Sequence, residues 1–96
     1  MKANKDHETR FHLVNSQACA LRFVLEPWGR EYVLRPQDKF LLVFKGPEEV
    51  SEPEVILSDG RIEVWGPAAN VDVFKNGQEL TEYVYEEMPV TRETAS

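Results

Sequence analysis

One cysteine, two histidines and five scattered glycines are all that 96 residues offer, and each scarcity closes off a class of chemistry. A lone thiol, Cys19, cannot form an internal disulfide, which fits a reducing compartment, and it is expected at the rim of the core. A zinc site needs three or four convergent ligands, and neither a Cys-x-x-Cys nor a His-x-x-x-His spacing is present. A blue-copper centre needs two histidines, a thiolate and a weak axial ligand grouped near one end of the fold. Here His7 and His12 precede Cys19, and Met88 stands apart. The glycines Gly29, Gly46, Gly60, Gly66 and Gly77 are isolated, so no phosphate-cradling loop is encoded. Ser16, Ser51 and Ser58 lack a Gly-x-Ser-x-Gly elbow. Carboxylate pairs such as Glu48-Glu49 and Glu86-Glu87 are too common on an acidic chain to mark a glycosidase. The expectation is a protein without catalytic residues, cofactor or metal.

Long apolar runs are also missing. None approaches the roughly 18–20 residues of a membrane span, and Met1 to Arg10 lacks the apolar stretch of a secretory signal, so a cytoplasmic location is expected. The net charge of −6 is uneven. Residues 1–48 carry eight Lys/Arg against six Asp/Glu, and residues 49–96 carry three against eleven, giving +2 and −8. Such a surface is repelled by nucleic-acid phosphates and by anionic membranes. Its natural complement is a basic protein partner, because opposite potentials speed encounter. Solubility alone is the plainer account of the same charge.

What the chain does have is hairpin chemistry. Asp59-Gly60 and Asn76-Gly77 each separate runs of alternating apolar and polar residues, and both pairs tolerate the positive φ of a type I′ turn. Strands are expected at 10–15, 20–26, 30–34, 39–45, 54–58, 61–65, 71–75 and from 78 as far as Tyr85. Pro27 to Gly29, the Arg35-Pro36-Gln37-Asp38 turn and Gly66-Pro67 interrupt them. The run from Phe40 to Phe44 suits an internal strand covered on both sides. No stretch shows a sustained helical period. Seven or eight short strands predict an all-β antiparallel β-sandwich, with a small β-barrel as the alternative. One domain over 10–85 is expected, between a flexible arm at 1–9 and a flexible acidic tail at 86–96, with a mobile loop at 46–53. The core is expected to draw on Phe11, Leu13, Leu21, Phe23, Leu25, Leu41, Val43, Ile56, Ile62, Val64, Val71 and Val73. A slip of one residue would exchange inward and outward side chains.

Two clusters stand out as contact candidates. Glu26-Pro27-Trp28-Gly29 puts an indole in a tight turn, where Trp28 either anchors a partner or stacks on a sugar, or else plugs the end of the sandwich. Trp65-Gly66-Pro67 repeats the theme, and core packing is expected for Trp65. The second cluster is Glu79, Glu82, Tyr83, Tyr85, Glu86 and Glu87, tyrosines rimmed by carboxylates that suit a basic, partly apolar surface. Alternatively, the tyrosines complete the core and the glutamates guard an edge strand.

From Asn15 to Phe44 the order is Asn15-Ser16, an apolar strand, Glu26-Pro27-Trp28-Gly29, Tyr32, Leu34, Pro36 and a buried strand. This third of the chain resembles small bacterial β-sandwich proteins, some of them immunity partners of contact-dependent or polymorphic toxins. The resemblance implies a non-catalytic role, in which an acidic face occludes the active cleft of a basic toxin. A small-ligand or carbohydrate module using Trp28 and Trp65, or a structural accessory domain, is the alternative.

Overall fold

The computed structural model describes residues 7–47 and 52–89. The arm at 1–6, the middle of the 46–53 loop and the tail from 90 onward lie outside the described residues.

Among the described residues eight strands follow in order: β1 (His7–Val14), β2 (Leu21–Glu26), β3 (Arg30–Leu34), β4 (Lys39–Gly46), β5 (Glu54–Ser58), β6 (Arg61–Trp65), β7 (Asn70–Lys75) and β8 (Gln78–Leu80). They form two four-stranded sheets, ordered β1-β4-β7-β8 and β3-β2-β6-β5, facing each other as a β-sandwich with open edges rather than a closed barrel. The two dipeptide turns do what their residue types allow. Asp59 and Gly60 have φ of 45° and 74°, and Asn76 and Gly77 have 51° and 87°, so β5–β6 and β7–β8 are tight hairpins. All pairings are antiparallel except β2 with β6, which become parallel because the chain visits the other sheet between them. β1 begins at His7, three residues earlier than the alternation suggested, and pairs along its whole length with β4.

The core is made of Phe23, Leu25, Tyr32, Leu34 and Val64 from one sheet against Phe40, Leu42, Phe44 and Val73 from the other. Phe40 meets Phe23 edge-on at 5.2 Å, a favoured aromatic geometry, and so joins the two layers. β4 corrects the expected core. Phe40, Leu42 and Phe44 point inward, and Leu41 and Val43 point outward, because five apolar residues in a row carry no alternation to fix the face. Val43 is nonetheless buried, aligned between Arg10 of β1 and Asp72 of β7, so the internal strand is largely shielded on both faces. Ile56 is the second correction: it is 41% exposed, on the outer face with Glu54 and Ser58.

Asn15 ties the layers together at one end. Its side chain is buried, its Nδ2 donates to the carbonyls of Cys19 (2.9 Å) and Leu34 (2.8 Å), and its Oδ1 accepts from the Gln17 N–H (2.8 Å). Its backbone is paired with the Gln37–Asp38 turn. Cys19 itself is exposed in this loop rather than at the core rim, since its carbonyl, not its thiol, makes the inward contact.

β8 ends at Leu80, well short of Tyr85. Beyond Leu80 the chain leaves the first sheet and crosses to the edge of the other one, forming a concave site lined in part by the charged residues Glu82 and Glu86.

Candidate functional site

β3 is an edge strand, so alternate backbone groups face outward without a ladder partner. At Glu31 those groups are taken by Tyr83. The Glu31 N–H donates to the phenolic oxygen (3.0 Å), and the phenol O–H donates to the Glu31 carbonyl (3.2 Å). The Tyr83 ring meets Tyr32 edge-on at 5.5 Å, extending the core aromatics to the edge. One side chain thus substitutes for a neighbouring strand.

Two arginines fasten the next residues. Arg22 of β2 lies 5.0 Å from the Tyr85 ring centroid, donates to the Glu86 carbonyl (3.1 Å) and pairs with Glu31 (3.2 Å). Arg35 forms a salt bridge with Glu86 at 2.8 Å. The bond from Arg35 outweighs the opposing effect of desolvation and holds the Glu86 carboxyl below its ordinary range. Nearby, burial pushes the Asp38 carboxyl up. Bonds from Asn76 Nδ2 (3.0 Å) and the Arg35 N–H (2.9 Å), with Lys75 and Arg35 close by, prevail and leave it lowered. Burial raises the Tyr32 phenol. Both carboxylates, Glu86 and Asp38, are therefore held ionised by partners within the fold.

Between this C-terminal segment, β3 and the ends of β4, β7 and β8 lies a cavity of about 370 Å³, within the range of ligand-sized sites. Tyr32, Val33, Phe40, Leu80, Val84 and Tyr85 form its apolar lining, and Glu31, Glu82 and Glu86 its acidic groups. Lys75 also lines it, engaged with Asp38 at 3.8 Å and 5.9 Å from the Phe40 ring centroid. Glu79, Glu82 and Glu87 are exposed and make no ion pair among the described residues.

Of the residues singled out in the sequence, Glu82, Tyr85 and Glu86 line this cavity, Tyr83 anchors its roof, and Glu79 and Glu87 lie on the chain flanking it. Tyr83 and Glu86 are engaged internally, so they shape the site more than they present themselves to a partner. Trp28 is elsewhere. It packs on the core, parallel to Phe44 at a centroid separation of 6.2 Å, and so plugs the end of the sandwich. Trp65 reverses the expectation of core packing: it is 40% exposed on the outer face, opposite to buried Val64. Its indole N–H donates to Glu63 (3.1 Å), which in turn accepts from Arg61, a polar ladder that gives the ring a supported place outside. The two indoles share an end of the sheet but occupy different faces. Reasoning from sequence missed Arg22 and Arg35, whose roles rest on contacts more than fifty residues away, and also Tyr32 and Phe40, neither of which stood in the expected core although both are buried there and line the cavity.

Among the described residues no group of three His, Cys, Asp or Glu side chains is placed to hold a metal ion. No helix among them is long and apolar enough to cross a membrane. No protein-family model, no curated protein and no solved structure matches the chain.

Proposed function

We propose that this protein is a non-catalytic binding domain that receives a basic segment of a partner protein at the cavity beside β3. The observation that carries the proposal is the composition of that cavity: an aromatic and aliphatic lining with carboxylates at its rim. An apolar floor takes the methylene stem or the guanidinium plane of an arginine or lysine, and Glu82, with Glu79 and Glu87 beyond it, meets the charge. The partner that fits this chemistry best is a toxin domain with a basic active cleft, which the acidic half of the chain would occlude at one-to-one stoichiometry. No proton transfer or covalent step is required of the site in this role.

A fluorescent peptide rich in lysine and arginine serves as the probe. Binding should weaken as salt rises. Glu82→Lys together with Glu87→Lys should lower affinity by about 1 kcal/mol, roughly fivefold. Both residues are exposed and make no ion pair among the described residues, so the fold survives the change. Equal binding by the double variant, or binding that ignores salt, would remove the acidic rim from the contact.

A further inference from the structure

The sandwich has four sheet edges, and among the described residues three are guarded. β1 carries Glu8, Arg10 and His12 among its exposed positions. β8 is only three residues long, and β3 has Tyr83 on its free backbone. Short length, charge and coverage are the usual means of keeping an edge from pairing. Among the described residues β5 is the least protected of the four, with nothing laid along it. All five of its residues are exposed, Val55, Ile56 and Leu57 stand in a row at its centre (Leu57 71% exposed), and its only charge is Glu54 at the start.

The hairpin fixes which backbone groups are free. A two-residue turn closes on a hydrogen-bonded pair, here Ser58 with Arg61, and bonded pairs alternate along an antiparallel ladder. Ile56 and Glu54 therefore bond inward to β6, and the N–H and C=O groups of Val55 and Leu57 face the open edge.

We infer that β5 pairs antiparallel with β5 of a second copy, about a two-fold axis at Ile56, joining two four-stranded sheets into one of eight strands. The strand is self-complementary in this register. Val55 and Leu57 exchange backbone bonds with Leu57 and Val55 of the other copy, Ile56 meets its equivalent, and Glu54 meets Ser58 rather than another carboxylate. The neighbouring registers are worse. Moving the axis to Val55 sets Leu57 against Pro53, which has no N–H, and moving it to Leu57 sets Val55 against the Asp59 turn. On the outer face Glu54 comes beside Ser58 of the other copy, whose ladder partner is Arg61, a guanidinium that Glu63 also engages. This surface lies on the edge of the sheet opposite to β3 and its cavity, so it is independent of the site that binds the proposed partner.

Sedimentation equilibrium tests this on the whole chain. The wild type should show a concentration-dependent rise from the 11.1 kDa monomer to twice that mass. Ile56→Lys and Ile56→Glu should each remain monomeric with unchanged circular dichroism, and an equimolar mixture of the two should regain the dimer. In a Cys19→Ser background, Ile56→Cys should cross-link on mild oxidation, because a non-hydrogen-bonded pair places Cα atoms about 4.5 Å apart. Glu54→Cys should not cross-link. A wild type that stays monomeric, a dimer that survives Ile56→Lys, or cross-linking through Glu54→Cys in place of Ile56→Cys would overturn the inference.

Discussion

Asn15→Asp keeps the size and shape of the side chain and changes only what its outer atom does. The native Nδ2 donates to the buried carbonyl of Leu34 at 2.8 Å and to that of Cys19 at 2.9 Å. A carboxylate has no donor, so both bonds are lost and an anionic oxygen faces two carbonyl oxygens. The Gln17 N–H keeps its acceptor. Leaving the buried Leu34 carbonyl without its partner costs about 1–3 kcal/mol, and the part-buried Cys19 carbonyl adds less, so the total is roughly 3 kcal/mol. In a domain of this size that lowers the melting temperature by about 12–24 °C. The deficit should depend on pH, because a protonated carboxyl can restore one donation. The introduced group therefore has a folded-state pKa above its unfolded value of about 3.9. Its penalty is smallest below that value and grows as pH rises through the folded pKa. Thermal and urea unfolding at pH 7 and at pH 4, with the wild type subtracted at each, measures it. A deficit under about 0.5 kcal/mol at pH 7, well below one lost bond, would refute the role given to Asn15.

Other perturbations address the edge and the core. Tyr83→Phe removes both bonds to Glu31 and keeps the ring on Tyr32; the effect should be small, about 0.5–1 kcal/mol, with faster hydrogen exchange at the Glu31 amide. Unchanged exchange would mean the phenol does not protect the edge. Gly66→Ala would place a Cβ 2.5 Å from Phe44 Cε1 and 2.8 Å from Trp28 Cζ3, so it should destabilise by about 1–3 kcal/mol and shift Trp28 emission. Glu86 and Asp38 have lowered pKa values, so their contributions are present above the unfolded values near 4.5 and 3.8 and are lost as pH falls through the lower folded ones. Tyr85 resonances should therefore shift toward those of an Arg35→Gln variant only in that acid range.

Local chemistry was legible wherever a few adjacent residues decide the outcome. Asp59-Gly60 and Asn76-Gly77 can hold positive φ at both positions, and the hairpins form there. β2 and β6 show their inward faces through Leu21, Phe23, Leu25, Ile62 and Val64. β4 did not, because Phe40 to Phe44 is apolar throughout and only the opposing sheet selects Phe40, Leu42 and Phe44. The C-terminal cluster was recognised by composition, but its conformation was not. Alternation at 82–86 reads as more strand, whereas the free edge of β3, Arg22 and Arg35 draw the segment across the sandwich. Trp65 was misplaced for a similar reason: its supporting partner, Glu63, lies two residues back on the same face, a pattern that hydrophobicity does not distinguish from a buried indole.

The most direct measurement is the map of amide shift changes when the lysine- and arginine-rich peptide is titrated into the isotopically labelled protein. The account predicts changes concentrated at residues 31–33 and 82–86, fading with salt and lost in the double variant Glu82→Lys, Glu87→Lys. Changes centred on β1 or β5, or spread evenly over the acidic half with none at Tyr32 and Tyr85, would contradict it.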